Sequence, residues 1–206
     1  LPLADLVGAH PPLAAARADR TGAEFLLTCR SWLLRHLLPA IPAGELLTHV
    51  DASLYFFSPP EPLFEEIGTA SAAIMPFRYP DDLAHLARHG RFSTGWVSLR
   101  HDATGRAIAT DWSAKCVVWC LRVLEIDRYA EQKYLDAWTK DFPGTVSLAH
   151  PGANVAPWNL HTVALGTGKS GLRVNKRPLI SFHFHGLVHL GRQLYDPGLH
   201  EFGTIL

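Results

Sequence analysis

Apolar residues recur at steps of three and four along much of the chain, which is the spacing of one face of a helix. In residues 24–38 this repeat consists of Phe25, Leu26, Cys29, Leu33 and Leu37. Prolines directly after the repeat end the predicted helix. Shorter or less regular repeats predict further helices over residues 12–20, 62–67, 81–88, 102–124 and 131–138.

Short apolar runs between turn-forming residues predict strands. They cover residues 46–50, 54–57, 70–75, 92–99 and 179–184. Gly95 interrupts the fourth run, which is typical of a bulge or of a close approach to a ligand. Because helices and short buried strands alternate through the first two-thirds of the chain, we expect an α/β layer architecture in one domain, residues 1–206.

Charge and composition narrow the possible partners. Nineteen basic residues balance nineteen acidic ones, so no global field attracts nucleic acid or an anionic membrane. No run of 18 uncharged apolar residues occurs, so the sequence predicts no transmembrane segment. The first residues lack a signal-peptide pattern, and the three cysteines fit no zinc or disulfide spacing. We therefore expect a cytoplasmic protein with reduced thiols.

The first candidate site follows the apolar run 46–50. Asp51 stands at the end of this predicted buried strand, where a carboxylate must be paired, hydrogen-bonded or bound to a cation. In extended chain Ser53 projects to the same side as Asp51. The alternative is an aspartate that only accepts hydrogen bonds from loop amides.

Two histidines form the second candidate site. His183 and His185 alternate with Phe182 and Phe184, so the imidazoles share one face of the strand and can share a metal, or one can contact phosphate. Gly186 permits a close approach of backbone to a ligand. The alternative is a pair of hydrogen-bonded histidines on an edge strand.

Three further segments carry polar or aromatic groups. Glu131 and Gln132 can orient a sugar or stabilise a cationic transition state, or they can simply complement a helix dipole. A second group lies in the interrupted strand and consists of Ser93, Thr94 and Gly95. Trp158, in a loop rich in turn residues, can stack on a sugar ring or fill the core.

Taken in order, these segments resemble the motifs of GT-A glycosyltransferases of family 8, the relatives of glycogenin and of bacterial galactosyltransferases. Asp51-Ala52-Ser53 is similar to their Asp-x-Asp motif, and Phe92-Ser93-Thr94-Gly95 to a Phe-Asn-x-Gly segment. Glu131-Gln132 resembles an Asp-Gln pair, and His183-Phe184-His185-Gly186 a late His-Phe-x-Gly motif. The Pro157-Trp158-Asn159 loop is similar to one in bacterial nucleotide-diphospho-sugar transferases. The resemblance runs from about residue 24 to residue 187.

The resemblance implies a GT-A-like three-layer sandwich and a metal-dependent glycosyltransferase that retains anomeric configuration. Manganese, or magnesium, would bridge the diphosphate of a nucleotide-sugar donor. The implied metal ligands are Asp51, Ser53 and His183. Glu131 and Gln132 would face the anomeric carbon as catalytic residues. The implied substrate-binding residues are Ser93, Thr94, Gly95, Trp158, His185 and Gly186.

The sequence departs from the family pattern at several of these positions. Ser53 replaces the second carboxylate of the metal motif, Glu131 replaces an aspartate, and Ser93 replaces an asparagine. The opening strand, helix and strand that hold the nucleotide base have no counterpart in the first fifty residues, so we expect an N-terminally incomplete GT-A domain. A homo-oligomer or a partner subunit could then cover the exposed sheet edge.

Three functions therefore compete. The first is sugar transfer from a nucleotide-diphosphate donor to a glycan, a lipid-linked sugar or another small acceptor. The second is a degenerate GT-A domain that no longer catalyses and acts as a binding or assembly subunit. The third is a metallohydrolase that uses His150, His183 and His185 to hold zinc.

Overall fold

A computed structural model of the protein describes residues 1–168 and 171–202, and these form a mixed α/β structure. The helices are α1 (Leu3–Ala9), α2 (Pro11–Ala16), α3 (Gly22–Leu37), α4 (Glu61–Ile67), α5 (Ala103–Val118) and α6 (Trp138–Asp141). Short 3-10 helices cover Arg17–Asp19, Leu38–Ala40, Asp81–His89, Lys133–Ala137, Leu160–Thr162 and Leu199–Phe202.

Eleven strands are described, most of them short. They are β1 (Leu46–Val50), β2 (Leu54–Phe56), β3 (Ala72–Pro76), β4 (Phe92–Arg100), β5 (Thr145–Ser147), β6 (Leu165–Gly168), β7 (Gly171–Val174), β8 (Arg177–Pro178), β9 (Ser181–His183), β10 (Val188–Gly191) and β11 (Leu194–Asp196). The central sheet has the order β1-β4-β3-β5, with β3 and β5 parallel and the other pairs antiparallel. Smaller sheets pair β2 with β9, β10 with β11, and β6 with β7 and β8.

Helix α3 begins at a capping box that also fixes a distant loop. The Thr21 hydroxyl accepts from the Glu24 amide, and the Glu24 carboxylate accepts from the Thr21 amide, which satisfies two orphan donors of the first turn. The same carboxylate accepts a hydrogen bond from the Arg122 amide at 2.8 Å. One side chain therefore starts the helix and holds the chain that follows α5 against it.

The core lies on both faces of the central sheet. On one face α3 and α5 cover alternate residues of β3 and β4, and the indoles of Trp112 and Trp138 meet edge to face at 5.3 Å. On the other face α4 packs Leu63 and Ile67 against Trp96. This two-sided covering explains why the strands carry almost continuous apolar runs.

A bulge in β4 confirms the interpretation of Gly95 as a local break. Ile74 of β3 pairs with Val97, but the next residue, Met75, pairs with Ser93. The intervening residues 94–96 have no partner on β3, although Trp96 still pairs with Val50 on β1. The extra residues bend the strand and change the direction in which its side chains point.

Three predicted elements differ from the structure. The helix predicted over 102–124 ends at Val118, because the Arg20 guanidinium binds the Val117 carbonyl in its last turn and the Arg122 amide donates to the Glu24 carboxylate instead of continuing the helix. The strand at 46–50 is an edge strand with only partial burial, not a buried one. The strand predicted over 179–184 is reduced to Ser181–His183.

The remaining predicted helices and strands are found with shifted ends. Residues 81–88 and most of 131–138 form 3-10 rather than α-helical turns, and Glu131 and Gln132 lie in the turn before them. Over the described part of the chain, no helix combines the length and apolar character needed to cross a bilayer.

Candidate functional site

A cavity of about 550 Å³ opens beside α3 and the bulge of β4. Its polar wall comprises Arg30, Asp51, Ser93, Thr94, Arg122, Glu131, Gln132, His183 and His185. Its apolar and aromatic wall includes Leu26, Leu27, Phe77, Tyr79, Leu86, His89, Tyr129, Trp158 and Phe202. Such a mixture, in which a few convergent polar groups face an apolar wall, is typical of a small-molecule site.

Most of the sequence-predicted site residues meet in this one cavity. Those that line it are Asp51, Ser93, Thr94, Glu131, Gln132, Trp158, His183 and His185. They come from five segments spread over more than a hundred residues of sequence. The three that do not line it are Ser53, Gly95 and Gly186.

Strand pairing brings the early aspartate to the late histidine. The amide of Asp51 donates to the carbonyl of Gly95 at 2.9 Å, which ties it to the β4 bulge. Just after it, β2 pairs with β9 so that Leu54 stands opposite His183. Asp51 and His183 therefore share one cavity and influence each other's pKa.

Arg30, on α3, is the centre of the polar wall. Its Nη2 lies 2.7 Å from Oδ1 of Asp51, and its Nη1 contacts both Oε1 of Glu131 and the Thr94 hydroxyl. The Thr94 hydroxyl in turn donates to Oε1 of Glu131 at 2.9 Å. One guanidinium thus links three chain segments and two carboxylates.

Glu131 is the most deeply buried carboxylate of the site, with 1% of its surface exposed. Burial raises its pKa above the ordinary value, while the charge of Arg30 opposes that rise. Its backbone is anchored, because the indole of Trp112 donates to the Glu131 carbonyl at 2.9 Å. The second carboxylate oxygen, Oε2, is buried and has no hydrogen-bond partner in the described protein. An acceptor of this kind is costly unless a ligand satisfies it.

His183 is a neutral imidazole at physiological pH. Burial, followed by the neighbouring His185, lowers its pKa to about 4. Its Nδ1 lies 3.2 Å from Oδ1 of Asn154, a contact that places the ring proton on Nδ1 and leaves the Nε2 lone pair for a ligand. Asn154 is itself held by the Pro76 carbonyl and the Ser181 hydroxyl.

Asp51 stays ionised although it is partly buried. Burial alone would raise its pKa, but the hydrogen bond from His49 at 3.2 Å and the charge of Arg30 outweigh that effect and lower it. Both contacts use Oδ1. The carboxylate is therefore negative and keeps Oδ2 for another partner.

Hydrogen bonds to backbone carbonyls fix the side chains of Gln132 and Trp158. The Gln132 amide nitrogen donates to the His89 carbonyl at 2.9 Å, which fixes the side chain and leaves its oxygen to the cavity. Trp158 is buried, donates to the Phe77 carbonyl at 2.8 Å and meets the His183 ring edge to face. Trp158 therefore forms part of the cavity wall.

The three predicted residues outside the lining have other functions in the fold. Gly95 packs directly beneath His183, since a Cβ at this position would lie 2.9 Å from Cε1 of the imidazole. The Ser53 carbonyl accepts from the Phe184 amide at 2.8 Å. Gly186 adopts a positive φ of 79°, which a side chain would disfavour.

The donor set fits a cation only in part. Among residues 1–168 and 171–202, no three His, Cys, Asp or Glu side chains are grouped so that they could hold a metal ion. His150 does not line the cavity, and its Nδ1 accepts from the Gly152 amide instead. Asp51 and His183 remain as a carboxylate and a neutral imidazole, which suits a cation that takes most of its ligands from substrate phosphates.

Sequence reasoning missed Arg30 and Asn154. A signal for the first was present, because Arg30 is one of the charged residues that interrupt the apolar repeat of residues 24–38. Such a charge must point away from the core or find a partner. Asn154 gave a weaker signal, as a residue in a turn-rich loop that adopts a φ of 52°.

Comparison with known proteins gives two similar sequences from Bacillus subtilis (strain 168). Uncharacterized protein YfnD is 30% identical over 181 residues, which cover 86% of this chain and 58% of YfnD. Uncharacterized protein YfnF is 28% identical over 183 residues, which cover 84% of this chain and 60% of YfnF. The chain thus spans about three-fifths of the length of these relatives. No protein-family model and no solved structure matches the sequence.

Proposed function

We propose that this chain carries the sugar-transfer site of a GT-A-type glycosyltransferase that uses a nucleotide-diphosphate sugar. The observation that supports the proposal is the convergence of five family-like segments on one cavity. These segments lie far apart in sequence, and each contributes at least one residue to the cavity, which favours one common site over five unrelated resemblances. The nucleotide-sugar donor, the glycan, lipid-linked or other acceptor, a cytoplasmic location and retention of anomeric configuration all belong to this proposal.

Glu131 would act on the sugar itself. Its Oε2 is buried and unpartnered within the described residues, and the negative charge of the carboxylate favours the positive charge that develops at the anomeric carbon. Gln132, fixed through its amide nitrogen, offers its oxygen beside it. Thr94 holds the other Glu131 oxygen and so fixes the direction in which the carboxylate points.

The diphosphate would lie near Asp51 and His183. A divalent cation bound there, manganese or magnesium, would neutralise the leaving diphosphate. Asp51 offers an ionised carboxylate, and His183 offers an imidazole whose proton is held by Asn154. His185, which also lines the cavity and whose ring lies 5.8 Å from that of His183, would face the same phosphates.

A binding domain without catalysis is the second candidate. Ser53, the counterpart of the second metal carboxylate, lies outside the cavity lining, and Arg30 is paired with the remaining carboxylate. Both observations favour weak cation binding. In that case the cavity would hold a sugar or nucleotide without transferring it.

A titration with UDP in the presence and absence of manganese separates the two candidates. We expect metal-dependent binding, detected by calorimetry, that Asp51→Ala and His183→Ala each abolish. Asp111→Ala and His189→Ala, which replace an aspartate and a histidine outside the cavity lining, are the matched controls and should bind as the wild type does. Negligible metal-dependent binding by the wild type would favour the non-catalytic domain, and retained binding in both cavity variants would mean that the site is wrongly placed.

A further inference from the structure

Arg30 makes contacts that the resemblance does not explain. Its side chain is 17% exposed and lies between two carboxylates, with Nη2 on Asp51 and Nη1 on Glu131. Each nitrogen binds a different carboxylate, so the guanidinium bridges the two groups instead of forming a bidentate pair with one of them. Only a rigid, planar cation with several donors can bridge two carboxylates in this way.

This bridge determines which oxygen of Glu131 is free. Arg30 and Thr94 both bind Oε1, so Oε2 is left buried without a partner in the described structure. Without Arg30, a carboxylate with almost no exposure would lose the ion pair that it forms within the described residues, and it would become protonated or turn toward another donor. The position of Oε2 thus depends on Arg30.

We propose that Arg30 is a positioning residue that ties Asp51 to Glu131 and fixes the Glu131 carboxylate in the wall of the cavity that would take the sugar of the donor. The identity of the ligand rests on the proposed function, but the bridge itself does not. If the Glu131 carboxylate acts on the sugar, loss of the bridge weakens binding of a nucleotide sugar much more than binding of the nucleotide alone.

The test compares Arg30→Lys with the wild type in two titrations, one with UDP-glucose and one with UDP. Lysine keeps the charge but cannot span both carboxylates. We expect the affinity for UDP-glucose to fall by about tenfold or more, which corresponds to the loss of one hydrogen bond to a charged group. The affinity for UDP should change by less than about twofold. Equal losses for both ligands would overturn the proposal, because Arg30 would then act on the phosphate end of the site, either directly or through Asp51.

A second measurement is independent of any ligand. Arg30→Met should lower Tm by about 10 °C, since it leaves Glu131 buried without its countercharge. Adding Glu131→Gln should restore most of that loss, because the uncompensated charge is removed. Arg35→Met is the matched control on the same helix, as Arg35 lies over the Trp32 ring and donates to the Ser113 hydroxyl.

The two measurements separate the failure of this inference from the failure of the proposed function. If the wild type binds neither UDP nor UDP-glucose, the result contradicts the proposed glycosyltransferase function. The Tm values of Arg30→Met, Glu131→Gln and the double variant then test the Arg30–Glu131 contact without a ligand. Additive effects of Arg30→Met and Glu131→Gln on Tm would show that the two side chains are not coupled. That result would reject the positioning role whatever the ligand is.

Discussion

Alternate side chains at the end of β9 face two very different surfaces. His183 and His185 line the polar cavity, whereas Phe182 and Phe184 line a shallow apolar depression of about 380 Å³. The other residues of that depression are Phe57, Leu160, Leu165, Gly166, Thr167, Leu172 and Leu179. The two surfaces are separated by a single strand.

The difference between them lies in how their groups are held. On the cavity side burial raises the pKa of Glu131 and lowers that of His183 to about 4, whereas the pKa of Asp51 is lowered because His49 and Arg30 outweigh its burial. The depression is lined by apolar side chains, one threonine and a glycine, and has no titratable group. Perturbed pKa values that cluster in a cleft are typical of functional sites. Under the proposed function, the chemistry lies on the histidine side of the strand, and the phenylalanine side serves packing.

The largest expected effect comes from Gly95→Ala, which acts on the histidine side only. A Cβ at this position would lie 2.9 Å from Cε1 of His183 and 3.1 Å from the Ser93 hydroxyl, so the buried imidazole must move. We expect about a tenfold or greater loss of UDP affinity and a decrease of about 1–3 kcal/mol in the free energy of unfolding. Calorimetric titration and urea unfolding measure the two quantities.

Gly166→Ala is the matched control on the other side of the strand. No atom lies within 4 Å of a Cβ built at this position, which belongs to the apolar depression. Binding and stability should stay close to those of the wild type. Equal effects of the two glycine substitutions would show that the close contact with His183 has no importance for the cavity.

The second prediction is that the free energy of unfolding depends on pH through His183. The imidazole has a pKa of about 4 in the folded protein against an ordinary value of 6.5, so the unfolded chain binds an extra proton between these two values. The free energy of unfolding therefore falls as the pH falls through this window, by about 1.4 kcal/mol per pKa unit and on the order of 3 kcal/mol in all. Above pH 6.5 this contribution is fully present.

Urea unfolding at pH 7 and at pH 4.5 measures this contribution. His183→Gln removes the titrating group, so the gap in stability between the wild type and the variant should be wider at pH 7 than at pH 4.5. The comparison is needed because burial also lowers the pKa of His10, His89 and His150, and these add to the pH dependence of both proteins. An equal gap at the two pH values would contradict a neutral, buried His183.

The sequence predicted the parts of the site that depend on local pattern. Alternation along the strand correctly separated His183 and His185 from the phenylalanines, and a glycine within a strand correctly indicated the β4 bulge. The mixed α/β class followed from the alternation of helical and strand periods. Each of these depends on neighbours within a few residues, which the sequence displays directly.

Long-range contacts were outside the reach of such patterns. Arg30 lies 101 residues from Glu131 and 21 from Asp51, and no local rule indicates that one guanidinium will bridge them. The predicted end of α5 was wrong for the same reason, because the Arg122 amide donates to the carboxylate of Glu24, which lies 98 residues away in sequence. The position of Ser53 depended on the pairing of β2 with β9, which turns its carbonyl toward Phe184.

Phe184→Ala changes the phenylalanine side of the strand, and we expect it to have the weakest effect on UDP binding. The Phe184 ring lies 4.6 Å from that of Phe182 and is only partly buried, so its loss should cost about 1–2 kcal/mol of unfolding free energy. The Phe184 amide still donates to the Ser53 carbonyl, so the backbone that carries His183 and His185 is kept. Affinity for UDP should therefore change by less than about twofold, whereas His185→Ala, one residue along, should weaken it. If Phe184→Ala weakened binding as much as His185→Ala does, the two surfaces of the strand would not be independent, and the chemistry could no longer be assigned to one side.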